Sequence, residues 1–439
     1  MASTQLSKTL STPTDGKKWT WSAWVKRSKV GGDQALFNAG GSGSPNVTIR
    51  FGYSSDNKIY VFYLSGGSMV WEFATNAEFR DTNGWYHIVV SYDSTQSTAT
   101  DRLKLYVNST QQTFSNSTNS SQNITTTMNS AVAHYIGNNN GGNYFDGSMS
   151  HIHFIDGTAY DATAFGQYDA NGVWKIKTSP SVTNGFFILK DGNSVTDQSG
   201  NGNNFTVAGG TLTNTEDSPS NVFATLNPLS KSNATLSNGN TTGALTTNTD
   251  RFIPASTLKV SQGKWYAEFK LNSLTDHTGV GITGDEGKAS NNNNAIGKET
   301  NSYAYVSTDG NFYDADSGSA YGSTYTSNDI IGIALDLDNN YIYFSKNGTW
   351  QNSGDPTSGA TGTGGKAITD PASVPDRVYA MGVGSHSTGG VCNWSANFGN
   401  GYFGTTAVAS AGTNASGNGI FEYDVPTGYT ALSTKGLNL

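Results

Sequence analysis

The chain has 439 residues, of which 35% are hydrophobic and 13% charged, with a formal net charge of -8. That length calls for two or three domains, and so small a net charge argues for ordered structure, not disorder. The acidic balance gives no electrostatic reason to bind nucleic acid or an anionic membrane, and the single Cys392 excludes an intramolecular disulfide framework.

Short alternating apolar runs bounded by Gly, Asn, Asp and Ser predict β-strands throughout, with almost no helical periodicity. In chain order the first are "TWSAWVK", "NVTIRFGY", "KIYVFYL", "MVWEFAT", "WYHIVVSYD", "RLKLYVN", "HYIGN" and "MSHIHFID". Side chains alternate faces along a strand, so Trp19, Trp21, Ala23 and Val25 form one apolar face suited to the space between two sheets. Trp24 stands alone on the other, mixed face, and the pattern leaves it open between packing and a surface role. Beyond Thr183 the texture changes to small polar residues with two isolated strand-like runs, "GFFILKD" and "NFTV", which places a connector over 183–250. After Phe252 the alternation returns in "KWYAEFKL", "HTGVGIT", "SYAYVST", "NFYDA", "RVYAMGVG" and "CNWSANFG". The clearest hairpin is "IGIALDLDNNYIYFSKNG": Ile331, Ile333, Leu335 and Leu337 share a face opposite Ile342 and Phe344, about a turn at Asn339 and Asn340.

The predicted architecture is all-β: a sandwich over 1–182, the connector, a second sandwich over 251–420 and a tail over 421–439. No apolar run is long enough for a transmembrane helix, and "MASTQLSKTL" lacks the apolar core of a signal peptide, so synthesis in a cytoplasm is expected. Asn-x-Ser/Thr triplets, as at Asn108, Asn123 and Asn347, follow from composition and are not read as glycosylation. There is no heptad repeat and no Gly-X-Y tract, so any oligomer would form through sandwich faces, edge strands or the terminal segments. The first fifteen or so residues and the segment after Phe421 are the expected anchoring pieces.

Catalysis has little to stand on. Retaining glycoside hydrolysis needs two carboxylates about 5–5.5 Å apart. The nearest approach to a paired-carboxylate run, "EYDVPT" at 422–427, lacks its second Glu. Asp336 and Asp338 lie on one face at a hairpin end, where turn amides or solvent would satisfy them. His151 and His153 would permit a two-His metal site, but no third ligand is evident, and "DADSGS" at 314–319 is an unpatterned loop of oxygens. The expectation is a non-enzyme without cofactor or metal. Loops "GNNNGGNYFDG" and "ADSGSAYGSTYTSND" instead mix Asn, Asp, Gly and Tyr in the manner of an adaptable recognition surface. Tyr144, Tyr321, Tyr325 and Trp350 are the candidate glycan-binding residues, with Trp71 a further one.

Three resemblances sharpen this reading. "WTWSAWVKR", "GWYHIVVSYD", "RLKLYVN" and "AHYIGNNNGGNYFDGSMSHIHFID" resemble the LamG/concanavalin A-like lectin superfamily, which implies a jelly-roll sandwich of two antiparallel sheets. "TDQSGNGNNFTV" at 196–207 is similar to a run that often opens such domains, although here it follows the sandwich, as a remnant or as a strand that docks back. "GKWYAEFKL", "GVGIT", "IIGIALDLDNNYIYFSKNGTW" and "WSANFG" occur in the order of a SPRY domain, also a sandwich. The tandem, with "SKTLSTPTDGKKWTWSAWVKR", "DSPSNVFATLNPL" and "FEYDVPTGYTALSTKGL", resembles virion proteins of marine bacteriophages, of tail-fibre or tail- or head-surface type. That likeness implies a structural protein on the virion surface, with other virion proteins and host-surface glycans as partners and a trimer as one oligomeric form. A purely structural cement protein, and more remotely a polysaccharide depolymerase, are the alternatives.

Overall fold

In the computed structural model the described residues are 4–53, 56–128, 130–177, 180–190, 195–230, 232–246, 252–289, 295–386 and 390–438. Nearly all regular structure is strand; a single α-helical turn, Glu286–Ala289, and a few 3-10 turns complete it among these residues. The chain divides into two compact units, Met1–Asn214 with Ser218–Ser220, and Thr215–Asp217 with Asn221–Leu439. Each is an antiparallel β-sandwich.

In the first unit an eight-stranded sheet runs in the order Phe114–Thr118, Ser68–Thr75, Ile59–Ser65, Asn46–Phe51, Gln34–Ala39, Ala133–Ile136, Gln5–Thr9, Thr206–Gly209. It packs on a six-stranded sheet ordered Phe186–Ile188, Gly147–Asp156, Lys18–Arg27, Tyr86–Asp93, Leu103–Val107, Thr110–Gln111. The alternation of Lys18–Arg27 does what its pattern requires: Trp19, Trp21, Ala23 and Val25 are fully buried in the core between the sheets. A buried aromatic side chain removes about 150–250 Å² from water, worth roughly 4–6 kcal/mol as an upper bound at about 25 cal/mol per Å². Trp24, on the opposite face, is also buried, stacked on His87 with ring centroids 4.8 Å apart. Its role is packing.

The second unit has a nine-stranded sheet whose main path is Thr235–Ser237, Thr242–Leu245, Cys392–Asn397, Lys264–Leu274, Ile330–Asp336, Tyr341–Lys346, Thr349–Trp350. Opposite it lie Phe252–Ile253, Ala380–Ser385, Thr278–Thr283, Ser302–Val306, Asn311–Asp314 and Ser317–Ala320. The predicted hairpin is present, with Leu335 opposite Ile342, Ile333 opposite Phe344, and Asn340 at φ 60° in the turn. The whole apolar set of that hairpin is buried in the second core.

The expected connector over 183–250 does not stand apart. Phe186–Ile188 and Thr206–Gly209 belong to the sheets of the first unit, and Thr235–Ser237 and Thr242–Leu245 to the second; residues 191–194 and 247–250 lie outside the described set. The 196–207 run docks back. Asp197 accepts from the amides of Phe187, Ser199 and Asn203 and from the Ser199 hydroxyl, all at 2.9 Å. Phe205 enters the core edge-on to Phe186, and Thr206 pairs with Ser7. The terminal segments are likewise integral. Gln5–Thr9 is an internal strand, and Thr430–Ala431 runs parallel to Lys264–Leu274 while Phe421 and Tyr429 are buried.

Candidate ligand-binding surface

The predicted site residues separate into two groups. Trp71 points inward with Phe73, is fully buried, and stacks on Tyr92 at 5.6 Å. Tyr321 and Tyr325 are buried as well. The Tyr321 hydroxyl oxygen accepts from the Phe344 amide at 2.9 Å, and the Tyr325 hydroxyl donates to the carbonyls of Tyr305 and Thr278 at 2.8 and 3.2 Å. These three rings are therefore core, not contact surface: a large ring in a Gly/Ser-rich loop gains more by folding under the loop than by standing in water. Burial also drives the Tyr321 and Tyr325 hydroxyl pKa values upward. Tyr144 and Trp350 are half-buried. Tyr144 sits beside Phe145, which plugs the first core against Phe51, and Trp350 meets Tyr266 edge to face at 6.5 Å. They belong to different units.

A group that periodicity did not single out is assembled on the outer face of the eight-stranded sheet. Phe51, Ile49 and Val47 face the core, so Arg50, Thr48 and Asn46 face out. Cross-strand register sets Arg50 opposite Tyr60, Thr48 opposite Phe62 and Phe62 opposite Glu72. Gly52, at φ 75°, then turns the chain; a Cβ there would lie 2.2 Å from the Gly32 carbonyl oxygen, so only glycine fits. Tyr53 follows at 58% exposure. The Arg50 guanidinium lies 4.9 Å from the ring centroids of both Tyr53 and Phe62 and 5.7 Å from Tyr60. Arg50 Nη1 pairs with Asp33 Oδ2 at 3.0 Å, while its buried Nε meets no acceptor among the described residues. The Tyr60 hydroxyl donates to Asp56 at 2.5 Å, and burial with that carboxylate raises its pKa. Asn116 donates to Glu72 at 2.7 Å. The result is an exposed ring beside fixed carboxylate and guanidinium groups, which is what holding a polar ring-shaped ligand requires.

The outer face of the six-stranded sheet is chemically different. His87, His151 and His153 gather there beneath Phe165, Trp174 and Phe187. Trp174 Nε1–H donates to His87 Nδ1 at 3.0 Å, so His87 carries its proton on Nε2, which lies 2.9 Å from Ser22 Oγ. Burial, and then the neighbouring His151, pushes His87 down to about 3; His153, likewise by burial and His151, falls to about 3. Among the described residues no group of three or more His, Cys, Asp or Glu is placed to hold a metal ion. Asp336 is satisfied by the amides of Asp338 and Asn339 and by Lys264 at 2.9 Å, and Asp316 of the 314–319 loop pairs with Lys298 at 3.0 Å.

In the second unit the carboxylate of Glu268 is fully buried under the C-terminal segment. It accepts from the amides of Glu422 and Tyr423, both at 2.8 Å, from the Tyr266 hydroxyl at 3.1 Å and from Asn397 Nδ2 at 3.3 Å. Burial nevertheless pushes it up to about 7, the four donors opposing that rise.

Residues 2–163 match the family model described as the Concanavalin A-like lectin/glucanases superfamily, and residues 264–365 match that of the SPRY domain. The fold is thus a concanavalin A-like sandwich followed by a SPRY-like one. Among curated proteins the chain is similar to the Ran-binding proteins 9/10 homolog of Drosophila melanogaster, 33% identical over 91 residues, and to Ran-binding protein 9 of Danio rerio, 34% over 89 residues. Each match covers 20% of this chain, and the chain spans only 9% and 14% of the length of these two relatives. Among solved structures, a SAP-like pentraxin from Limulus polyphemus is 14% identical with a TM-score of 0.27, covering 36% of this chain and 72% of its own. The SPRY domain of human HERC1 is 16% identical with a TM-score of 0.29, covering 39% and 96%.

Proposed function

We propose that this chain is a non-enzymatic binding protein displayed on a bacteriophage particle, where it contacts host-surface glycans and is held by other virion proteins. The observation that carries the binding reading is the lectin-like first sandwich with the exposed Tyr53 ring standing beside Arg50 and Asp33 on an outer sheet face. Support for the particle comes from the resemblance of 7–27, 217–229 and 421–437 to virion proteins. The half-buried aromatics Tyr341 and Trp350 of the SPRY-like unit favour a second, protein-facing role, in keeping with the Ran-binding names of its relatives. A glycan array with the purified chain tests the first part. Retention of glycans supports it. No retention, with tight binding to isolated capsid or tail proteins, gives the cement alternative instead. Release of reducing sugar from host polysaccharide would replace both with a depolymerase. Locating the chain in the density of a whole particle tests its place on the virion.

A further inference from the structure

We infer that the Arg50–Tyr53–Tyr60–Phe62 face of the first unit is a site for an uncharged sugar ring, bound without a cation, and that Tyr53 is its stacking platform; this rests on the glycan-binding reading above. Beside the exposed ring the carboxylates of Asp33 and Asp56 outnumber the Arg50 cation, and the chain as a whole is at -8. A sulfated, phosphorylated or sialylated sugar would meet net repulsion there. An uncharged sugar would not, and its hydroxyls both donate and accept.

The groups offered match that chemistry. Asp33 faces Arg50, and Glu72, opposite Phe62 and held by Asn116, keeps acceptor capacity for hydroxyl donors, since an ionised carboxylate has about four lone-pair sites. Arg50 Nε–H is buried and meets no acceptor among the described residues. Tyr53 supplies the apolar face: one side of its ring is backed by the guanidinium and Tyr60, with ring centroids 6.0 Å apart, and 58% of the residue remains open. A ring already braced loses little rotamer freedom on binding. The carboxylates are engaged with Arg50, Asn116, Tyr60 and turn amides, so they do not converge on one point as a calcium site demands.

The test uses the full-length chain on an array holding neutral, sulfated and sialylated glycans, repeated with a chelator, beside the variants Tyr53→Ala and Asn116→Ala. The expected result is retention of neutral glycans only, unchanged by chelator, weakened about tenfold or more by Tyr53→Ala with an unchanged melting temperature, and less by Asn116→Ala. Retention of neutral glycans that Tyr53→Ala leaves intact overturns this site while keeping the glycan-binding reading. A preference for anionic glycans, or loss of binding with chelator, overturns the ligand class. No retention of any glycan overturns both, and binding of peptides instead, sensitive to Tyr53→Ala, reassigns the face to a protein.

Discussion

Trp174 and His87 lie eighty-seven residues apart in the chain, yet the indole Nε1–H of Trp174 donates to His87 Nδ1 at 3.0 Å, inside an aromatic cover. The bond needs His87 neutral, because a protonated imidazole has no acceptor nitrogen.

This predicts acid sensitivity of the first unit. His87 and His153 are held at about 3 and His134 at about 4 in the folded state, each chiefly by burial. Their unfolded values lie near 6.5, so between these limits the unfolded chain binds more protons. The stability they contribute is fully present above pH ~6.5 and is lost as pH falls toward the folded values. At pH 5 each histidine contributes a loss of roughly 2 kcal/mol at 1.36 kcal/mol per pH unit. Calorimetry at pH 7.5 and pH 5 should show the first-unit transition falling further than the second, and His87→Gln should reduce that pH dependence. Equal shifts in the two transitions would show that these histidines do not control it.

Core aromatics and surface aromatics should respond differently to truncation. Trp71→Ala and Tyr321→Ala remove fully or nearly fully buried rings and should cost about 3–5 kcal/mol. Tyr53→Ala, at 58% exposure, should stay within about 0.5 kcal/mol of the parent. Urea unfolding of the three variants checks this, and a mild effect of Trp71→Ala would contradict the packing described.

Glu268→Gln should loosen the C-terminal segment. The variant replaces one acceptor oxygen by an amide that faces backbone donors, costing about 1–3 kcal/mol. Limited proteolysis should cut sooner within 408–430 in the variant. Identical cleavage rates would show that Glu268 does not hold the segment.

Asp197→Ala removes four hydrogen bonds, one that ties the 196–204 loop to the Phe187 amide and three that hold the loop's own turn. Leaving buried amides unpaired costs about 1–3 kcal/mol. Faster hydrogen exchange confined to 186–209 is the expected outcome, read by mass spectrometry.

Much of the fold was legible because strand alternation is a local property. Trp19, Trp21 and the Ile331–Leu337 face could be assigned inward from neighbours two residues away. Gln5–Thr9, Gln34–Ala39 and Phe114–Thr118 were missed: the first carries one buried apolar residue, the last is an edge strand of exposed polar residues, and the middle one is buried on both faces and shows no polar alternation. The candidate site was less legible. Loop tyrosines at 321 and 325 share a composition with recognition loops, but composition does not say whether a loop folds over its own rings.

The amino-acid sequence by itself determined that this is an all-β tandem with two aromatic cores, since period-2 patterning and turn residues act within a few positions. Only the tertiary structure decided that 206–209 returns to pair with 5–9, that the segment after Phe421 closes over Glu268, and that Arg50, Tyr53, Tyr60 and Phe62 share one face. Those outcomes depend on which strands become neighbours and in what register, and that choice is made by burying all the apolar faces of a unit together.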